Sequence, residues 1–177
     1  MPFDTFVLIA SQYDNEAEAL ADYDAVREAY KTQGLIDTYD AAVISRDEDG
    51  RVAIVKTVEE PTRQLAAGGL ATGLTLGAAA ALFPAIALGG ALLVGGAAGA
   101  GVGAVAGHVA GGMSRRDLKE LGELLDEGTS GLIVIAGSDM EAHVEHAIER
   151  ARKQAKKQVQ LDADRLKRQI DEGDFLL

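Results

Sequence analysis

From Gln64 to Ser114 the chain runs for 51 residues without an Asp, Glu, Lys or Arg, and His108 is the single titratable side chain in that stretch. Folded surfaces stay in water largely through charged side chains, so a block this long has to find cover. A lipid bilayer, a second copy of the chain and a protein interior would each provide it. All the charge lies on residues 1–63 and 115–177, and it sums to −11. That balance argues against a general nucleic-acid binder, because neutralising phosphates needs an excess of Lys and Arg. With no cysteine in the chain, disulfide frameworks, thiolate zinc sites and cysteine nucleophiles are excluded. The opening MPFDTFVLIASQYD has no basic n-region, and its apolar run is too short for a signal peptide. The start of the chain is therefore expected in the cytoplasm.

Two crossings of a hydrocarbon core about 30 Å thick need roughly 20 residues each plus a turn, which the uncharged block supplies. Pro84 disfavours helical geometry at Phe83, so Phe83 and Pro84 mark the hairpin turn between arms at Leu65–Leu82 and Ala85–Gly107. An even number of crossings leaves both flanks on one side, and Arg63, Arg115, Arg116 and Lys119 put that side in the cytoplasm. The apex Leu82–Ile86 holds no polar residue, so a re-entrant hairpin buried within an oligomer is an equal alternative. Glycines recur every four residues, at Gly69, Gly73 and Gly77 in the first arm and at Gly95, Gly99, Gly103, Gly107 and Gly111 in the second. Residues four apart share a helix face, so each row predicts a shallow groove that another backbone can approach closely. The larger apolar side chains of the first arm contribute only roughly −2 to −4 kcal/mol to insertion, so close packing between arms or subunits has to supply the rest.

The flanking sequence predicts a small sheet domain. Thr5–Ser11 and Leu132–Ala136 are short continuous apolar runs of the kind buried on both faces. Asp14-Asn15-Glu16 offers an N-cap for a helix with Leu20, Tyr23, Val26 and Tyr30 on one face and Gly34 at its end. Ala41–Arg46 and Arg51–Val58 flank an Asp-Gly hairpin signal, and Ser114 can cap a helix to about Leu125. Without the block, the order is βαββαβ. That predicts an α+β, ferredoxin-like sheet with helices on one face. The expected units are 1–63 (βαββ), 64–113 (the inserted glycine-zipper hairpin), 114–137 (αβ) and 138–177. In the last unit, apolar residues from Met140 to Ile170 at spacings of three and four predict one amphipathic helix of roughly 50 Å.

Little in the sequence points to chemistry. Gly101-Val102-Gly103 with Gly107 follows no predicted strand and belongs to the four-residue packing row. His143 and His146, three apart among Glu141, Glu145 and Glu149, have the spacing of shared metal ligands but no second motif to complete a coordination sphere; a solvated helix face explains them. His108 either faces a protein interior or marks the bilayer interface near Arg115. Eight of the 17 basic residues lie between Arg150 and Arg168. Arg115, Arg116, Lys153, Lys156 and Lys157 are candidate lipid contacts on that account. However, Glu149–Lys153 and Asp164–Arg168 are i,i+4 pairs that suit an ordinary solvated face. No Ser/His/Asp set, isolated carboxylate pair or phosphate loop emerges, so no catalytic, cofactor or metal residue is assigned and an enzyme is not expected.

The stretches TFVLIASQYDNEAEA, DEDGRVAIVKT, Leu65–Gly112 and SRRDLKELGELLDEGTSGLIVIA together resemble a family of uncharacterised prokaryotic predicted membrane proteins. In that family a glycine-rich hydrophobic hairpin interrupts a small α/β domain. The likeness extends to about Ile148 and implies membrane association with no established activity. The expectation is a non-catalytic, membrane-associated homo-oligomeric structural or scaffold protein of the inner membrane, with both termini cytoplasmic. It would bind itself and the bilayer, with no nucleic acid, cofactor or small-molecule substrate. The alternatives are a soluble self-assembling particle or ring with the hairpins inside, and a channel lined by the second arm with His108 near its mouth.

Overall fold

The computed structural model describes residues 4–33, 39–49, 51–57, 85–88, 91–94, 112–126, 129–137 and 140–161. In chain order these form β1 (Asp4–Tyr13), α1 (Glu16–Thr32), β2 (Tyr39–Arg46), β3 (Val52–Thr57), β4 (Ala85–Leu88), β5 (Ala91–Val94), α2 (Arg115–Asp126), β6 (Ser130–Gly137), α3 (Glu141–Ala147) and β7 (Lys153–Leu161). The class is α+β. Strands lie side by side in the order β5-β4-β3-β2-β6-β1-β7. The five from β3 to β7 along that row are antiparallel neighbours, and β4 joins the β3 edge in parallel. Since β6 is antiparallel to both β1 and β2, those two strands run parallel with β6 between them, as in a split βαβ unit.

Side chains alternate across a strand, and here both faces are covered. Val7, Ile9 and Tyr13 of β1 join Val43, Leu132 and Val134 beneath α1 and α3. Leu8 and Ala10 join Ile44, Ile54, Ile133 and Ile135 beneath α2. A strand enclosed in this way reads as an uninterrupted apolar run, which is why TFVLIAS and LIVIA show no alternation. Helices on both faces replace the expected single helical layer, and the ferredoxin-like arrangement does not describe this sheet. The two amphipathic helices are too far apart in sequence for their own patterns to say which face each one covers.

Local signals account for most of the boundaries. Asn15 caps α1, its Oδ1 accepting from the Glu18 N–H at 2.9 Å, with Glu16 and Glu18 favourably placed in the first turn. The buried stripe of α1 is Ala19, Asp22, Tyr23, Val26 and Tyr30. The β2–β3 connection closes through the Asp47 N–H to the Arg51 carbonyl (3.0 Å) and the Arg51 N–H to Asp47 Oδ1 (2.8 Å). Ser114 caps α2 as expected, accepting from the Asp117 N–H at 3.0 Å. Leu121 and Leu125 of α2 are buried against the sheet. Leu125 sits over Gly131, where a Cβ would fall 2.7 Å from its Cδ2.

Two further sequence expectations are overturned. The predicted helix of residues 138–177 is α3, seven residues long, followed by strand β7; residues beyond 161 lie outside the described ones. Ile148 already has extended backbone (φ −89°, ψ 94°). Apolar residues at Ala151, Ala155 and Val159 are four apart, and an offset of four keeps side chains on one face of a strand as well as of a helix. The free edge of β1 decides between them, pairing from Asp4↔Leu161 to Gln12↔Lys153. Likewise, the second arm of the predicted hairpin opens with β4 and β5, which pair antiparallel from Ala85↔Val94 to Leu88↔Ala91. The rest of that arm, the first arm, Phe83, Pro84 and all eight glycines of the two rows lie outside the described residues. Among the described residues no helix is long and apolar enough to cross a membrane.

Candidate functional site

The uncharged block follows β3 in the chain and ends at Ser114, next to Met113, which is buried in the core beneath α2. Part of the block pairs with the β3 edge, with Val52↔Ile86, Ala53↔Ala87 and Ile54↔Leu88 in register. Just past its end Arg115 and Arg116 are exposed in the first turn of α2. The Ser114 hydroxyl both caps the helix and donates to the Asp117 carboxylate at 2.7 Å. That hydroxyl, and then Lys157, hold the Asp117 carboxyl below its ordinary range. Residues 85–88 and 91–94 of the block are thus tied to one sheet edge and its C-terminal end to the start of one helix, with two arginines beside that end.

The lysines among the candidate lipid contacts have partners within the protein. Successive residues of β7 point to opposite faces, so Lys156 reaches α3 and Lys157 reaches α2. Lys156 pairs with Glu141 and Glu145, the latter at 3.0 Å. Lys157 pairs with Glu120 at 2.9 Å and Asp117 at 3.2 Å. Hydrogen bonds to these carboxylates, Glu141 first for Lys156 and Glu120 first for Lys157, raise both ammonium groups above the ordinary lysine range. Lys153, at the start of the same strand, is exposed but also engaged. Arg115 and Arg116 remain the basic candidates for an outside partner.

One constellation escaped sequence reasoning. Asp22, fully buried on the apolar stripe of α1, accepts from the Tyr13 hydroxyl (3.0 Å), the Arg150 backbone N–H (2.8 Å) and Arg150 Nη1 (2.7 Å). Burial above all, then the Asp22 charge and hydrogen bond, push the Tyr13 hydroxyl well above the phenol range. Three donors satisfy the carboxylate, and the pair is closed to solvent at the Asp22 end. Its work is structural: it ties α1 and β1 to the turn that carries the chain from α3 into β7. Beside it the Arg152 N–H donates to the Gln12 carbonyl at 2.8 Å, and Arg152 Nη1 bonds Asp14 Oδ1 at 2.9 Å. The readable signal was an acid in a helix stripe otherwise made of Ala19, Tyr23, Val26 and Tyr30.

The two histidines of α3 come together on a groove. An open space of about 360 Å³ lies between the C-terminal end of α1 and the outer side of α3. Ala29, Ala142 and Ala147 leave it empty by their small size, and Thr32, Gln33, His143 and His146 complete a lining whose surface is mostly apolar. Among the described residues no group of three or more His, Cys, Asp or Glu is placed to hold a metal ion.

Compared with protein-family models, with curated proteins and with solved structures, the chain matches none.

Proposed function

We propose that the protein is a non-catalytic, homo-oligomeric structural protein held at a membrane by its charge-free block. The observation that carries this is the segregation of charge. Residues 64–114 have none, while the rest of the chain is acidic and pairs its own Lys156 and Lys157. Arg115 and Arg116, exposed where the block ends, suit an anionic cytoplasmic leaflet. With residues 85–88 and 91–94 in the sheet, the block serves this reading as an association element and no longer as two full helical crossings. The glycine rows would supply close backbone contacts between copies.

A second reading, a soluble assembly in which the blocks bury one another, is favoured by β4 and β5, which tie part of the block to the body's own sheet. Fractionation of the native host's extract by high-speed centrifugation, with and without detergent, separates the two. Sedimentation with membranes and release by detergent is the expected result. A supernatant protein of high mass would favour the soluble assembly, and a supernatant monomer would end both readings. Gly103→Leu, which places bulk in the longer glycine row, is expected to lower the oligomer mass; an unchanged mass would refute packing through that row.

A further inference from the structure

A separate feature of the body, independent of how the block associates, is the groove between α1 and α3. His143 and His146 lie one helical turn apart on α3, and both line it. Side chains at that spacing start about 5–6 Å apart. Two imidazoles can then converge on one ion at the usual metal–nitrogen distance of about 2.0–2.1 Å. Neither ring has a hydrogen-bond or ion-pair partner among the described residues, and both are exposed. Thr32 and Gln33, at the end of α1, line the same groove and carry neutral oxygen atoms. Thr32 Oγ1 spends its proton on the Glu28 carbonyl (2.8 Å), which leaves its lone pairs available.

The carboxylates nearest in sequence are committed elsewhere: Glu141 and Glu145 are both held by Lys156. Without a carboxylate lining, the groove is a poor host for hard ions such as calcium or magnesium, which want several anionic oxygens. Neutral imidazole nitrogens with water suit borderline ions instead. We propose that this groove binds one divalent transition-metal ion of the zinc, nickel or copper type. His143 and His146 would be the protein ligands, water would fill the remaining positions, and Thr32 and Gln33 would hydrogen-bond that water. Since two ligands give only part of a coordination sphere, the site would be exchangeable and open to a further ligand.

Calorimetric titration of the full chain with nickel chloride, and separately with zinc chloride, in a non-chelating buffer tests the proposal. One ion per chain is expected, with His143→Ala and His146→Ala each weakening binding at least about ten-fold and the double variant abolishing it. His108→Ala is expected to bind as the parent does. Circular dichroism of each variant confirms that its fold is kept. Absence of binding by the parent, binding that survives in the folded double variant, or binding lost in His108→Ala would each overturn the assignment.

Discussion

Asp22 shows how a single buried acid joins three parts of the chain. Removing its carboxylate by Asp22→Ala strands the buried Tyr13 hydroxyl and the Arg150 N–H, and unpaired buried polar groups cost about 1–3 kcal/mol each. The variant is therefore expected to lose about 3 kcal/mol in urea denaturation, whereas Tyr13→Phe, which removes one donor from a carboxylate that keeps two, should lose about 1 kcal/mol. Equal losses would show that Asp22 does not act as the hub. Gly131 is the second residue whose identity the packing dictates. Its missing Cβ leaves room for Leu125 of α2 and for Ile44 of β2, 3.0 Å from where that atom would be. Gly131→Val would push α2 off the sheet and is expected to cost about 1–3 kcal/mol by the same denaturation measurement. Gly122, with open space around it, serves as the tolerant control.

At the scale of elements, β7 is the informative case. It is a strand because β1 has an edge to fill and because lysines on its two sides meet acids from two different helices. Both ammonium groups are raised above the ordinary value of 10.5. The stabilisation they bring is complete below that value and is lost as pH rises through the raised folded-state value. The urea midpoint is thus expected to fall above about pH 10.5. In a Lys156→Gln/Lys157→Gln variant the midpoint should start lower and change less over the same range; a parallel fall in both would assign the effect to other groups. The caps of α1 and α2, the β2–β3 turn and the apolar runs of β1 and β6 were legible because each depends on residues close in sequence. β7 was not, since spacings of four satisfy strand and helix alike. β4 and β5 do carry a local signal: Gly89-Gly90 separates two short apolar runs, a common two-residue hairpin signature.

For the whole molecule, two contrasting properties coexist in one small chain. The body buries its sheet on both faces and carries the whole net charge of −11, and the same chain has a stretch of 51 residues with no Asp, Glu, Lys or Arg. Within that stretch β4 pairs with the β3 edge and Met113 enters the core at the start of α2, so the described points of attachment are one edge and one helix start. An assembly built through the block would then leave the far edge, the lysine-bearing β7, outside. Charged edge strands resist further pairing. Such an assembly is expected to reach a closed size, read as a mass independent of protein concentration, instead of growing into fibres.

From its sequence alone this chain revealed where it needs cover, where most of its helices start and which of its strands lie in the interior. Those properties follow from composition and from contacts a few residues apart. Tertiary structure decided which face each helix takes, that residues 153–161 extend instead of coiling, and that Asp22 meets Arg150 across 128 positions of chain. It also set His143 and His146 against the end of α1. These outcomes turn on which distant surface is free to be paired, and a local pattern carries no record of that.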